Sequence, residues 1–413
     1  MRVLHLVGGD LNGGAAKGAV WLHKGLREIG VESKILTNSK DTLGDADIVS
    51  ASKTVWQLIG NAFRARVDEL PLRFYRNRNT ELFSTGFFGY NFTTHPLFDW
   101  ADVIHLHWIN NGFINVKHLA RIRKPIVWTL RDMWVFTGGC HVALSCLRYQ
   151  SGCGNCPQLG SNSSSDLSKY IINRKKKYLP GSMTIVGISE WISNCARNSY
   201  LFKDAEVLTI SNNVSYSDFF PIDKQAARYA VGLPLDRKII LAGAQRPDHS
   251  WKGFDKLLES LPYLKEHNPL LLFFGNVYPR LVEQTGFEVK SLGTLTDQMS
   301  LRTAYSAADV FVAPSRMEAF GKTLAEAMAC GTPVVCFDAT GPKDIVDHQV
   351  NGYRAIPFES VDLANGIKWV LDNPDPVSLS RNAMKKVSEK FNTPVIAKQY
   401  ADLYLRKTGR VIN

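Results

Sequence analysis

The sequence predicts an α/β protein built from two doubly wound parallel sheets, one following the other along the chain. Short β-branched runs alternate with helical patterns, the rhythm expected of βαβ units. The alternation starts afresh after the turn-forming stretch Ile210–Val214. A length of 413 residues also exceeds what one hydrophobic core ordinarily serves.

The first array reads Arg2–Val7 as a strand, Ala15–Ile29 as a helix and Val31–Thr37 as a strand. Asp102–His107 is a strand, Val116–Ile122 a helix and Pro125–Leu130 a strand, with Met183–Ile188 and Glu206–Ile210 as further strands. The second array has strands at Lys238–Ala242, Leu270–Phe274, Val289–Ser291, Asp309–Val312 and Pro333–Phe337. Its helices are Asp255–Leu264, Met299–Ala307 and Thr323–Cys330, the last closed by Gly331 and Pro333. Pro394–Lys407 forms a last helix. The expected division is 1–214, 215–393 and 394–413.

Hydrophobic residues make up 45% of the chain and charged residues 21%, the balance of a globular protein. No apolar run reaches the roughly 18 residues of a membrane-spanning helix. The opening MRVLHLVGG is a strand entering glycines, with an apolar part too short for a secretory signal. A cytoplasmic protein is expected. The net charge is +11, from 49 Lys and Arg against 38 Asp and Glu. Arg64, Arg66, Arg73, Arg76 and Arg78 are interleaved with Trp56, Phe63, Phe74 and Tyr75, and Arg174–Lys177 is a second basic run. Such segments suit anionic lipid or nucleic acid, and equally an ordinary solvated face.

The densest chemistry lies in Pro314–Val335, PSRMEAFGKTLAEAMACGTPVV. Glu318 falls in the loop before a helix and Glu326 within it. The N–H groups of Ala319, Phe320 and Gly321, beside Lys322 and Thr323 at the helix start, make an anion site. Two carboxylates flanking such a site suit a ligand with both phosphates and hydroxyls. Periodicity alone also allows a surface helix with two solvated glutamates.

This E-x(7)-E spacing, followed by A-x-A-C-G-T-P-V-V, resembles the donor-site signature of glycosyltransferase family 4. That family comprises retaining, nucleotide-sugar-dependent enzymes of the GT-B fold, so the resemblance implies two domains facing a central cleft. It also implies a C-terminal helix that returns to the first domain, and an interdomain stretch matched by Asn212–Pro221. By the same resemblance Glu318 holds donor-sugar hydroxyls and Glu326 the ribose. Gly13 and Gly14, in the glycine-rich turn after the first strand, face the donor diphosphate. Lys252, followed by Gly253, neutralises the leaving diphosphate. Ala244 occupies the family's usual arginine position, and Arg246, two residues later, is the substitute that would share the neutralising of the diphosphate. Leu295 lies in the loop that resembles the family's nucleobase contact. Trp128–Trp134 matches the segment that usually reads T-x-H-D, with Arg131 in place of the histidine beside Asp132. Arg131 and Asp132 would then sit at the reacting sugar. His107 fits an acceptor-side group or a structural histidine. Catalysis is expected to need no cofactor, because cations and helix dipoles meet the developing phosphate charge.

Four of the seven cysteines, Cys140, Cys146, Cys153 and Cys156, fall in one short segment beside His141. In a reducing compartment this spacing suits a structural zinc site; buried free thiols or a redox pair remain open. A similar T-G-G-C-H…C-G-x-C-P loop is familiar in bacterial polysaccharide glycosyltransferases. The expected function is therefore sugar transfer from a nucleotide-diphosphate donor to a growing, lipid-linked surface polysaccharide. The partners are then the donor, the lipid-linked glycan and the inner membrane surface, with no nucleic acid. A nucleotide-sugar 2-epimerase of the same architecture and a basic nucleic-acid-binding protein are the alternatives.

Overall fold

A computed structural model describes residues 1–9, 11, 13–39, 44–52, 54–244, 249–276 and 286–409. The chain divides into two compact units, Met1–Ser211 with Pro394–Asn413, and Asn212–Thr393. The division falls slightly ahead of the expected 214/215 boundary. Val214 explains why: its N–H donates to the Phe391 carbonyl and its own carbonyl accepts from Thr393, which ties this stretch to the second unit.

The first unit holds seven parallel strands: β1 (Arg2–Val7), β2 (Glu32–Thr37), β3 (Ile48–Ser50), β4 (Val103–Leu106), β5 (Ile126–Leu130), β6 (Thr184–Gly187) and β7 (Val207–Thr209). Their order is β3-β2-β1-β4-β5-β6-β7, so the winding reverses between β1 and β4. Strands β4, β5 and β6 are buried along their whole length, as parallel strands covered on both faces should be. The helix Thr393–Thr408 closes one face, where Ile396, Ala397, Tyr400 and Tyr404 share a core with Val3, Val103, Val127 and Val186. The C-terminal helix thus belongs to the first unit.

The second unit holds six parallel strands: β8 (Ile239–Gly243), β9 (Leu270–Phe274), β10 (Val289–Ser291), β11 (Val310–Ala313), β12 (Val334–Phe337) and β13 (Gly352–Ala355). The order β10-β9-β8-β11-β12-β13 reverses between β8 and β11. Ligands of open α/β sheets bind outside the carboxyl ends of the strands at such reversals. The segments after β1, β4, β8 and β11 are therefore where chemistry is sought.

Several elements depart from the sequence reading. Val116–Arg121 is a 3-10 helix. The helix expected over Asp255–Leu264 ends at Ser260 and continues as a 3-10 turn from Leu261, because Pro262 cannot donate the next backbone bond. The helix Val55–Glu69 and the strands β3 and β13 were not expected. That helix is inverted: Asn61 and Asp68 are its buried residues, while Trp56 and Phe63 are 81% and 66% exposed. Asp68 accepts the backbone N–H groups of Gly86, Phe87 and Phe88, which explains why a charge points inward and ordinary helical periodicity fails.

Candidate functional site

Each unit presents polar groups at its own winding reversal. In the second unit β8 leads toward a 3-10 turn, Ser250–Lys252, and β11 leads into the loop 314–321. The two loops touch. Gly253 has φ of 65°, and a Cβ there would lie 1.9 Å from the Pro314 carbonyl oxygen, so only glycine permits this approach. The contact brings Lys252 Nζ against Glu318 Oε1, and Ser315 Oγ donates to the same carboxylate oxygen at 3.1 Å. The Glu318 N–H donates to Thr340 Oγ1 at 3.2 Å, and the Glu318 carbonyl accepts from Gly341 at 3.0 Å. The side chains of Lys252 and Glu318 are each about one-fifth exposed, hence open to a ligand.

Gly321, with φ of 103°, turns the chain into the helix Lys322–Ala329, whose N-terminus has no side-chain cap and no acidic first-turn residue. An uncapped helix start beside Lys252 attracts anions. Ala319, Phe320 and Thr323 lie on this turn, Phe320 buried and the others half-buried. Glu326 faces inward and is 2% exposed. Tyr305 Oη donates to its Oε2 at 3.2 Å, and Lys322 Nζ lies 3.0 Å from its Oε1 at ion-pair distance without a well-angled hydrogen bond. Leu295 is half-buried in the segment between β10 and the helix Gln298–Ala307. Of the residues named from the sequence, Lys252 and Glu318 lie together, and Glu326 is on the buried side of the helix Lys322–Ala329. Arg246 lies outside the described residues.

In the first unit Gly13 caps the helix Gly14–Glu28, again with no side-chain cap and no acid in its first turn. At the end of β4, His107 is buried; its Nε2 meets His5 Nδ1 at 2.9 Å and its Nδ1 meets an Arg131 guanidinium nitrogen at 3.3 Å. His105 bonds Thr129 Oγ1 and Tyr404 Oη through its two ring nitrogens, and Thr129 also meets Tyr400 Oη. Burial, first of all, holds His5, His105 and His107 well below the ordinary histidine range, with Arg131 adding to it. These rings are therefore neutral. Desolvation likewise lowers the Arg131 guanidinium to about 10, opposed by the phenols of Tyr400 and Tyr404.

Asp132 is a hub. Its carboxylate accepts from His141 Nδ1 at 2.7 Å, Trp108 Nε1 at 3.0 Å and the Trp134 N–H at 2.8 Å. His141 Nε2 in turn meets Ser84 Oγ at 2.9 Å. The sequence reading named Asp132, Arg131 and His107 but missed Trp108, the ring cluster and the tyrosines. The signal available was Tyr400 and Tyr404, one helical turn apart on the last helix.

Among the described residues, His5, His105 and His107 form the one group of potential ligands whose donor atoms lie within 4.8 Å of one another. Their bonds to each other and to protein partners account for all but His5 Nε2. Cys140, Cys146, Cys153 and Cys156 line a single cavity, but no three of their sulfurs approach as closely. Burial raises the Cys140 and Cys153 thiols to about 12.

Comparison with known proteins gives the following. Residues 223–391 match the family described as Glycosyl transferases group 1. An uncharacterized glycosyltransferase of Methanocaldococcus jannaschii, MJ1607, is 29% identical over 74% of this chain and 75% of its own. A putative colanic acid biosynthesis glycosyl transferase of Escherichia coli, WcaC, is 25% identical over 63% of this chain and 65% of its own. The structure of Anabaena HepE in complex with UDP-glucose superposes over 98% of this chain and 99% of its own, at a TM-score of 0.67 and 17% identity.

Proposed function

Taking the chain as a glycosyltransferase of GT-B fold with a group 1 domain over residues 223–391, we propose that it transfers a sugar from a nucleotide-diphosphate donor to a lipid-linked surface polysaccharide. One observation carries the donor side: Lys252 and Glu318 meet beside an uncapped helix N-terminus at the winding reversal of the second sheet. A cation and a row of N–H groups suit a diphosphate, and an accepting carboxylate suits sugar hydroxyls. HepE, whose structure contains UDP-glucose, supports a nucleotide-sugar donor. WcaC, described as a colanic acid enzyme, supports the polysaccharide setting.

In this reading the bond between the anomeric carbon and the diphosphate breaks as the acceptor hydroxyl attacks from the same face, so configuration is retained. Charge gathers on the departing phosphate, where Lys252 and the N-terminal N–H groups of Lys322–Ala329 stabilise it. Glu318, oriented by Ser315 and Lys252, fixes the donor sugar. Glu326, on the buried side of that helix, is the residue assigned to the ribose. Gly13 and Gly14, at the uncapped start of the helix Gly14–Glu28, give the first unit an anion-binding turn suited to phosphate. In the first unit, Arg131 and Asp132 are the groups assigned to the reacting sugar and His107 the acceptor-side group, and Asp132 orients His141. Metal is not needed for leaving-group stabilisation, because the fixed cation and dipoles supply it.

The inverted helix supports a membrane-surface setting. Trp56, Ile59 and Phe63 are exposed on one face, and Phe74 follows at 88% exposure, among the exposed Arg66, Arg73, Arg76 and Arg78. Apolar rings flanked by cations suit the headgroup layer of an anionic leaflet. No helix of the described residues is long and apolar enough to cross a membrane.

A panel of nucleotide sugars, assayed for nucleotide release with and without a lipid-extract acceptor, tests the proposal. Acceptor-stimulated release from one donor class is the expected result. Interconversion of the sugar without acceptor would mark an epimerase instead, and inertness toward every donor would defeat the reading.

A further inference from the structure

The segment Thr137–His141, T-G-G-C-H, is built to deliver one buried imidazole to Asp132. Phe83 and Cys140 pair as an antiparallel bridge, and the Ser84 N–H donates to the Gly139 carbonyl at 2.9 Å. That bridge sets Ser84 beside His141. Gly139 has φ of 131°, and a Cβ there would lie 2.3 Å from the Phe83 ring, so only glycine lets the two segments approach. The His141 N–H reaches the Leu82 carbonyl at 3.4 Å, and its own carbonyl accepts from Met133 at 3.1 Å. Lys175, in the helix Leu167–Tyr178, packs over the Trp134 ring and donates to the Thr137 carbonyl at 2.9 Å, which closes the segment from behind.

The proton positions along this chain of groups follow from its partners. Trp108 Nε1 and the Trp134 backbone N–H can only donate, and they meet Asp132 Oδ2 at 3.0 Å and Oδ1 at 2.8 Å. Both oxygens are thus acceptors, so His141 Nδ1, 2.7 Å from Oδ2, carries the proton between them. Trp108 Nε1 lies 3.4 Å from the same ring nitrogen, and its shorter bond to Asp132 agrees with that assignment. In this tautomer Nε2 accepts, and Ser84 Oγ donates to it at 2.9 Å. A carboxylate offers about four lone-pair sites. Among the described residues, two partners meet Oδ2 and one meets Oδ1, which leaves a site on Oδ1. The Asp132 side chain is 21% exposed, so that site is open to a ligand, while His141 stays buried behind it.

We propose that His141 is a positioning residue for sugar transfer: held in one tautomer by Ser84, it aims Asp132 so that Oδ1 accepts a substrate hydroxyl at the end of β5. This rests on the reading in which Asp132 meets the reacting sugar. The orientation within the pair is mutual, and only Asp132 touches substrate.

The test compares full-length wild type with Ser84→Ala, His141→Ala, His141→Asn and the Ser84→Ala/His141→Ala double variant. Steady-state nucleotide release is measured with the same panel of nucleotide sugars and lipid-extract acceptor, alongside binding of UDP, GDP and ADP and thermal melting. His141→Ala should lower kcat about 10–100-fold, the cost of a misplaced reacting group. Donor KM and nucleotide affinity should stay within about threefold of wild type, because Lys252 and the helix Lys322–Ala329 belong to the second unit. His141→Asn, whose amide N–H can stand where Nδ1–H does, should recover most of the lost kcat. Ser84→Ala should cause a smaller loss alone and none further beside His141→Ala, as groups acting through one chain do. If kcat, KM and melting temperature all worsen together and asparagine does not rescue, His141 is merely structural and the proposal fails. It also fails if kcat stays within about threefold of wild type in both single alanine variants. Ser84→Ala removes one hydroxyl and decides the matter if His141→Ala does not fold. Wild type that transfers no sugar would overturn the underlying reading as well, a result distinct from active wild type with unaffected variants.

Discussion

Replacing Glu318 by glutamine changes one oxygen to an amide nitrogen and keeps the shape of the donor loop. What it removes is charge. The carboxylate accepts from Ser315 Oγ at 3.1 Å and pairs with Lys252, and the amide would leave that lysine without its anion. Charge-assisted hydrogen bonds contribute roughly 1.5–3 kcal/mol each. Removing one oriented group that acts in the transition state costs roughly 10²–10³ in turnover, or about 2.7–4 kcal/mol. Turnover at saturating donor should therefore fall about 100-fold. Stability should change by less than about 1 kcal/mol, because both side chains retain contact with water and the pair is screened. Initial rates of nucleotide release, read alongside thermal melting, separate the two effects. A Glu318→Gln protein that melts like wild type and turns over within about threefold of it would refute the role assigned to this carboxylate.

Two further outcomes are expected. Charge reversal of Arg73, Arg76 and Arg78 together should weaken sedimentation with anionic vesicles about 100-fold or more at low salt, at roughly 1 kcal/mol per cation; unchanged sedimentation would rule out this face. Stability should also fall on acidification. His5, His23, His105 and His107 are buried and held below the ordinary value of 6.5, His23 to about 4, with burial the leading cause in each. The unfolded chain takes up protons that the native state refuses, so their contribution is complete above about pH 6.5 and is lost as the pH falls below that, for His23 toward pH 4. With its value at about 4, His23 alone loses about 2 kcal/mol of stabilisation by pH 5, and the other three act in the same direction. Urea midpoints at pH 7 and pH 5 should differ accordingly, and equal midpoints would contradict the neutral-ring cluster.

Much of the fold was legible because buried parallel strands have a strong local signal. Leu270–Phe274 and Val289–Ser291 match their expected bounds, and Arg2–Val7 does as well. The helix Val55–Glu69 escaped notice because its apolar residues face outward and its Asp68 inward, the reverse of the usual pattern. In the second unit, motif spacing identified Lys252 and Glu318, but Ser315 and Thr340 enter only through the loop geometry that Gly253 permits. In the first unit, Arg131 stood out as a departure within a familiar segment and Asp132 as its matching acid. Asp132's partner Trp108, Arg131's partner His107, and the His5 and Tyr400 that bond His107 and Thr129 come from other stretches of the chain, and only folding brings them together.

The donor site itself is tested most directly by calorimetric titration of the wild-type protein and Lys252→Ala with UDP, GDP and ADP. One nucleoside diphosphate should bind wild type at one site per chain. Loss of the lysine should weaken that binding at least about tenfold, the equivalent of 1.4 kcal/mol or more. Equal affinity in the two proteins, or no binding of any of the three at millimolar concentration, would contradict a diphosphate site at Lys252.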